Sequence, residues 1–368
     1  MTAWLGRYCD LVLARPWLLL LASLLLVAVA GLGLTQLSYT SDYRVYFSKD
    51  NPERVALEAM ENDFIRSESV LIAVAPQDGE VFHVDTLKAL QTLTREGAKL
   101  PYARAAYSIT NVYEAQAEGL NISTATIMPD LPLQAIDLQA LKDRAMANDQ
   151  LRNGLLSDSG DVAAVVVYIE LPYDNPTAEV ARVAEATEAL ADRVAAEHPG
   201  LQIHLTGLVM FNHALAEAFD RDFSYLYPAA YLVMFVLVGL FFRSWSSMAG
   251  TVAVVLMALL FANGMTGWLG IQLNTTSIAS GIIILTLAVA NCVHLLTTFT
   301  HERQAGQAPK PAMREALRVN FQPIFLTNLT TAIGFLCMNF SDAPPNQDLG
   351  NIVSIGIVAA FLFSISFL

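Results

Sequence analysis

Two stretches of this 368-residue chain place amide, imidazole and hydroxyl side chains inside otherwise apolar runs. In Ile282-Ile-Ile-Leu-Thr-Leu-Ala-Val-Ala-Asn291-Cys292-Val293-His294-Leu295-Leu296, an asparagine and a histidine stand three apart, on one side of a helix, and Thr298 follows four residues later. A second run carries Thr327, Asn328, Thr330 and Thr331. There Asn328 and Thr331 share a helical face, and Gly334 would let a neighbouring helix approach. Imidazole titrates near neutral pH, so His294 could pass protons while a conformational equilibrium shifts, with Asn291 and Thr298 as polar relay partners. The blander alternative is a histidine bonded to a nearby carbonyl at the wetted end of its helix. For Thr327, Asn328 and Thr331 the first expectation is hydrogen-bonded attachment of one helix to another. An unpartnered histidine in hydrocarbon is costly, so His294 is expected to face a bundle interior or a wet cavity.

The elements that must hold these groups are membrane-spanning helices. Residues 17–34 carry no charge, and 18 residues at about 1.5 Å each give roughly 27 Å, close to the hydrocarbon thickness. A cleaved signal peptide is the rival, with Arg7 and Arg15 as its basic region and Ala28-Val29-Ala30 as its cleavage site. The length of the run, and five more runs after it, favour an uncleaved helix. Those lie at about 226–242, 248–268, 277–299 and 323–340, and from Asn351 to Leu368. The last ends with neither a polar tail nor a basic anchor, so the chain is expected to be the front half of a longer protein. The short links sort by charge. Arg7, Arg15, Arg243, Arg303, Lys310, Arg314 and Arg318 fall in one alternating set, while the links near 268–276 and 341–350 carry no Lys or Arg. Basic links stay in the cytoplasm. Segment 303–318 reads either as a short amphipathic helix on that face or as an anchoring loop.

Composition agrees, with 54% hydrophobic and 15% charged residues overall, against about a quarter charged in soluble domains. The net charge is uneven. Residues 37–224 hold 14 Lys/Arg against 29 Asp/Glu, while the remainder holds 7 against 5. An acidic block argues against nucleic acid as a partner, because phosphate binding needs clustered cations. Cys9, Cys292 and Cys337 all lie outside this block, so no disulfide staples it. Its patterning alternates strand and helix: strand 69–75, helix 85–99, strand 102–110, then helix 137–148, strand 162–170, helix 177–197 and strand 201–206. Two split βαβ units of this kind suggest a pair of ferredoxin-like subdomains. The expected fold is therefore a six-helix membrane bundle with an α+β outer domain, divided as 1–36, 37–224 and 225–368. The cluster Asn153-Gly154…Ser157-Asp158-Ser159-Gly160-Asp161 reads as a turn rather than a calcium loop, since no closing Glu has the right spacing. Asn-x-Ser/Thr matches at Asn121, Asn274 and Asn328 carry no weight. A helix over 208–224 enters the second span through Asp220-Arg221-Asp222 and could couple outer-domain motion to the bundle, with Pro228 bending it.

No enzyme is expected. There is no Gly-rich phosphate loop with its lysine, no Ser/His/Asp order at a strand–helix turn, and no Cys or His cluster with metal-ligand spacing. No cofactor or metal site follows. Any work done must draw on an ion gradient or another subunit.

One span, a large outer αβ domain and five further spans resemble one half of a resistance–nodulation–division (RND) transporter, nearest the MMPL-type exporters, whose five-span cluster also resembles a sterol-sensing domain. The resemblance rests on Leu205-Thr206-Gly207, then Arg221-Asp222-Phe223…Leu226-Tyr227-Pro228, then Phe241-Phe242-Arg243-Ser244. Val289-Ala290-Asn291-Cys292-Val293-His294-Leu295-Leu296 and Leu326-Thr-Asn-Leu-Thr-Thr-Ala-Ile-Gly-Phe335 complete it. It implies a two-repeat protein of the bacterial inner membrane that exports or relocates hydrophobic, lipid-like molecules using the proton gradient. It also implies a dimer or trimer, with a periplasmic partner protein in some cases. A lipid-sensing module and a protein-translocation accessory subunit share the same fold. One departure matters: relatives usually carry an acid in the fourth span where this chain has Asn291, which cannot change charge. His294 would then take a larger share, or the acid would come from a second repeat, or coupling would be weak.

Overall fold

The computed structural model describes residues 8, 10, 12–40, 42–63, 68–118, 121–152, 154–172 and 176–368. Arg7, Cys9 and Asn153 lie outside them. Two compact units divide the chain: Val55–Glu217, and Met1–Arg54 with Ala218–Leu368.

The first of these is the αβ unit. Its strands are β1 (Ser69–Pro76), β2 (Ala103–Tyr107), β3 (Tyr113–Glu118), β4 (Asn121–Thr126), β5 (Ala163–Ile169) and β6 (Leu201–Thr206). The main sheet runs β2-β5-β1-β6, with every neighbouring pair antiparallel. In β1 the alternation places Val70, Ile72 and Val74 wholly in the core. Helices Val84–Gly97 and Pro176–Glu197 contribute Leu87, Leu90 and Leu93, and Val183 and Val194, to that core at helical spacing. The pair of separate subdomains expected from sequence is corrected here, because the two βαβ units interleave. Strand β5 lies between β1 and β2, and β1 lies between β5 and β6, so one sheet forms instead of two. The composition of β5 gives the reason. Ala-Ala-Val-Val-Val-Tyr-Ile is apolar almost throughout, and such a strand is stable only with a partner on each edge. The β3–β4 hairpin and the helix Pro52–Asp63 were not anticipated. Tyr-Glu-Ala-Gln-Ala-Glu in β3 does alternate, but two of its three apolar positions are alanine, and Ala and Glu are both depleted in strands, so the signal is weak.

Gly207 ends β6 at φ +103, where a Cβ would run into the carbonyl of Ser69. This accounts for the glycine in Leu205-Thr206-Gly207. The turn before β5 is closed by its own side chains: Ser157 and Ser159 both donate to the Asp161 carboxylate, and the amides of Asp161 and Val162 donate to Ser157 Oγ. Between elements, Lys142 Nζ donates to Glu80 Oε2 at 2.6 Å, while Glu80 Oε1 accepts from the Phe82 amide. The lysine holds the Glu80 carboxyl below its usual value of 4.5. A lowered folded-state value means the pairing stabilises above the unfolded value and is lost as pH falls through the folded one. Glu80→Gln is thus expected to lower the melting temperature near neutral pH, by an amount that shrinks as pH falls below 4.5, a narrowing that thermal unfolding across that range checks.

Six helices of the described residues are long and apolar enough to cross a membrane: Pro16–Gln36, Leu208–Phe242, Trp245–Trp268, Ser277–Gln304, Pro309–Phe340 and Pro344–Ser366, the first to sixth spans below. The sixth is the most buried and packs on the first, third, fourth and fifth. The first meets the third through backbone. Gly33 lies against the Gly264 carbonyl, Gly264 against that of Ala30, and Gly267 against that of Gly33. Trp268 Nε1 donates to the Val29 carbonyl beside them at 3.2 Å. Small residues let helix backbones touch where lipid supplies no hydrophobic drive for association. Gly334, expected to serve the same purpose, has nothing within 4 Å of its Cβ position. The close approaches come instead at Gly350 against the Phe335 carbonyl and Gly356 against Ile284.

The bundle has two distinct ends. At one, Arg314 pairs with Asp10 at 2.7 Å, and Tyr8 Oη donates to the Ile365 carbonyl. Arg243 closes the second span in a left-handed conformation (φ +50), and Ser244 caps the third by accepting from the Ser247 amide. At the opposite end Thr40 N donates to the Leu273 carbonyl and Leu273 N to that of Ser38. Segment 303–318 is not a separate surface helix: the fourth span ends at Gln304 and a turn through Gly306 leads to Pro309. From Pro309 it is the start of a helix that continues to Leu336, carrying Pro323 within it.

Candidate functional site

The fourth and fifth spans pack against each other antiparallel, and two polar contacts join them. Asn291 Nδ2 donates to Asn328 Oδ1 at 3.2 Å, and Asn328 Nδ2 returns a bond to Asn291 Oδ1 at 2.9 Å. Both residues are 5% exposed. Asn328 Nδ2 also reaches the Ile324 carbonyl at 2.7 Å. Seven residues along one helix and eight back along the other, Asn320 Nδ2 donates to Thr298 Oγ1 at 2.8 Å and to the Ala316 carbonyl. That is two turns, roughly 11 Å. The result is a two-rung amide–hydroxyl seam, buried at Asn291, Asn320 and Asn328.

The expected residues divide on this seam. Asn291, Asn328 and Thr298 are in it. His294 is not: it is exposed on the bundle, away from the interior position that was one of the expectations for it. Three residues turn a helix by about 300°, leaving His294 some 60° round from Asn291, and the seam is narrower than that. Thr327 is exposed, and Thr331 Oγ1 donates to the Thr327 carbonyl of its own helix at 2.7 Å. Neither threonine ties the helices together, because a hydroxyl in an apolar helix finds its nearest acceptor one turn back. Asn320 was missed, since it lies beside a segment read as a surface element. Its spacing of eight from Asn328 was the available signal.

Asp220, Arg221 and Asp222 are exposed. Regular helix ends at Arg221, and a π-helical turn, Asp222–Leu226, follows it. Pro228 lacks the amide that would bond one turn back, which favours a register change just before it. Beside this turn Phe219, Phe223, Tyr227 and Tyr231 form a row of ring contacts 5.8–6.5 Å apart, and Tyr39 stacks on Phe219 at 4.4 Å.

A second polar group, unforeseen in the sequence, sits at the end of the bundle opposite Arg243. Asn274, 2% exposed, accepts from the amides of Thr276 and Ser277 and donates to Asp348 Oδ2 at 3.0 Å. The sixth span starts at Pro344, earlier than its apolar run, and so brings Asp348 into a helix. Asn274 and Asp348 border a cleft of about 560 Å³ whose wall also carries Lys49 and Arg54. Cys292 is buried and Cys337 exposed, both as free thiols.

Six apolar helices, packed through glycines and joined by buried amides, define a multi-pass membrane protein. The chain belongs to the MMPL family, which matches residues 46–368 and so takes in both the αβ unit and the last five spans. It is 21% identical to a membrane protein of Methanocaldococcus jannaschii over 349 residues, 93% of this chain and 86% of that protein. It is 24% identical over 207 residues to the siderophore exporter MmpL5 of Mycobacterium tuberculosis, covering 55% of this chain and 21% of the exporter. A membrane protein of Streptomyces coelicolor is 26% identical over 223 residues, with 58% and 30% covered. The chain thus spans under a third of two of these relatives.

Proposed function

We propose that this chain forms part of an RND-type exporter that moves hydrophobic or lipid-like molecules across or out of a bacterial inner membrane at the expense of the proton gradient. The N-terminus and the links bearing Arg243 and Arg314 lie in the cytoplasm in this reading, and residues 37–224 lie outside. The observation that carries it is the buried seam Asn291–Asn328 and Thr298–Asn320, which gives a family bundle a polar joint between two spans. The exporter MmpL5 adds support, and its name makes a siderophore one candidate cargo.

All four seam side chains are amides or a hydroxyl, so the seam itself cannot take up a proton near neutral pH. In this reading it acts as a joint about which the spans shift, and the titrating group meets it from His294 or from an acid of another repeat or subunit. A dimer or trimer would bring such an acid to the exposed His294, and a periplasmic partner would meet residues 37–224 on the outer side. Asp220, Arg221 and Asp222, next to the π-helical turn, would carry motion of the αβ unit into the second span.

The test uses vesicles containing the full protein, preloaded with a lipophilic fluorescent dye and given an imposed pH gradient. Gradient-dependent dye movement that a protonophore abolishes, and that His294→Gln reduces to the level of empty vesicles, is the expected result. Dye movement indifferent to the gradient contradicts proton coupling, and no movement together with retained binding of a sterol-like lipid points to a sensing module.

A further inference from the structure

The second and third spans meet at the two-residue elbow Arg243-Ser244, and beside it lies an apolar groove of about 530 Å³. Leu232, Phe235, Val236, Leu240 and Met248 line it. Leu232 and Leu240 are 65% and 68% exposed, so no other part of the described chain fills it. Arg243 and Trp245 stand at its mouth, and Trp245 is 83% exposed.

Two features of Arg243 call for an explanation. Its backbone takes the left-handed conformation that ends helices, a place where glycine or asparagine is the usual occupant and a long side chain adds strain. Its guanidinium is exposed and forms no ion pair with any described residue, although this elbow is the narrowest link between two spans. A cation held at a fixed point over an apolar furrow, with an indole beside it at interfacial depth, has the chemistry of a phospholipid site.

We infer that the groove binds one anionic glycerophospholipid, with an acyl chain along Leu232, Val236 and Leu240 and its phosphate on Arg243. This rests on the membrane reading above but not on transport, and it concerns the lipid in which the protein sits rather than its cargo. Charge complementarity selects the occupant. A zwitterionic lipid would fill the furrow equally well but would gain less from the lone guanidinium, and an elbow on the cytoplasmic side faces the leaflet surface where anionic lipid makes the potential negative. Arginine suits the phosphate because its planar fork offers paired donors and keeps its charge.

The experiment places the full protein in nanodiscs of equal phosphatidylglycerol and phosphatidylcholine and reads the lipids retained after mild delipidation by native mass spectrometry. Wild type is expected to retain phosphatidylglycerol preferentially, by roughly fivefold for one interfacial cation. Arg243→Gln should lose the preference while keeping a bound lipid, Arg243→Lys should keep most of it, and Gly239→Phe, which fills the furrow, should lose both lipids. Thermal unfolding identifies any variant that has failed to fold, and Arg243→Gln removes the charge while keeping an unbranched polar side chain at the same backbone angle. A phosphatidylglycerol preference undiminished in folded Arg243→Gln overturns the inference. So does a dimer that Gly239→Phe dissociates without changing lipid retention, since a second copy of the chain would then occupy the groove. Neither result would bear on gradient-driven dye movement, so this inference and the transport reading can fail separately.

Discussion

Replacing Gly264 by leucine is expected to separate the first span from the third and to leave most of the protein unfolded or aggregated. The obstacle is backbone: a Cβ at Gly264 falls on the carbonyl of Ala30, and the neighbouring contacts at Gly33 and Gly267 are carbonyl contacts too. Overpacking a core normally costs about 1–3 kcal/mol, because side chains shift to make room. Here none can, and the whole crossing must open, forfeiting the Trp268–Val29 bond with it. A loss of at least ~3 kcal/mol follows, a large part of the stability of an ordinary domain. Gly31→Leu is the control, since nothing lies within 4 Å of that Cβ position on the same stretch of chain. Fluorescence-detected size exclusion and thermal unfolding in detergent should show Gly31→Leu close to wild type and Gly264→Leu absent from the folded peak. Equal melting temperatures would refute the close crossing.

The second large effect belongs to the amide pair, and it should be asymmetric. Asn328→Leu removes both bonds that Asn291 makes to it and strands a buried amide. Asn291→Leu leaves Asn328 with its bond to the Ile324 carbonyl. An orphaned buried polar group costs about 1–3 kcal/mol, so Asn328→Leu should fall in that range and Asn291→Leu below it. Side-chain bonds between membrane helices have coupling energies averaging ~0.6 kcal/mol and reaching ~1.7, and two reciprocal bonds should put this pair near the upper figure. The double variant should therefore be more stable than the sum of the single losses implies. A double-mutant cycle on chemical unfolding in micelles checks this, and strict additivity would mean that the two amides do not bond in the folded protein.

The spans were legible because apolar length is a one-dimensional signal. Five of the six runs found in sequence lie within a helix of the structure and the sixth overruns its helix by Phe367 and Leu368, so the differences are at the ends. The fifth helix begins at Pro309 because Ala312, Ala316 and Leu317 are buried against the rest of the bundle, which an average over a hydropathy window does not register. In the αβ unit all four strands of the main sheet were recognisable, yet their order was not. Strand order depends on which edges need partners, a property of the assembled sheet rather than of any strand. The same limit applies to the seam. Asn291 and Asn328 stood out as amides in apolar runs, whereas their pairing depended on a helix register that periodicity leaves free by one position. His294 shows that freedom most plainly, lying three residues from Asn291 in sequence and outside the seam in space. Asn274 and Asp348 were out of reach, being 74 residues apart and each unremarkable in its own segment.

The central claim is that six helices cross a membrane with the Arg243 elbow on the cytoplasmic side and the acidic αβ unit on the other. Single cysteines at Ser159, in the turn before β5, and at Ser246, beside the elbow, test it in a background lacking Cys9, Cys292 and Cys337. In intact spheroplasts a membrane-impermeant maleimide should label Ser159→Cys at once and Ser246→Cys only after the membrane is permeabilised. Labelling in the reverse order, or of both positions before permeabilisation, would contradict the arrangement from which the transport and lipid readings proceed.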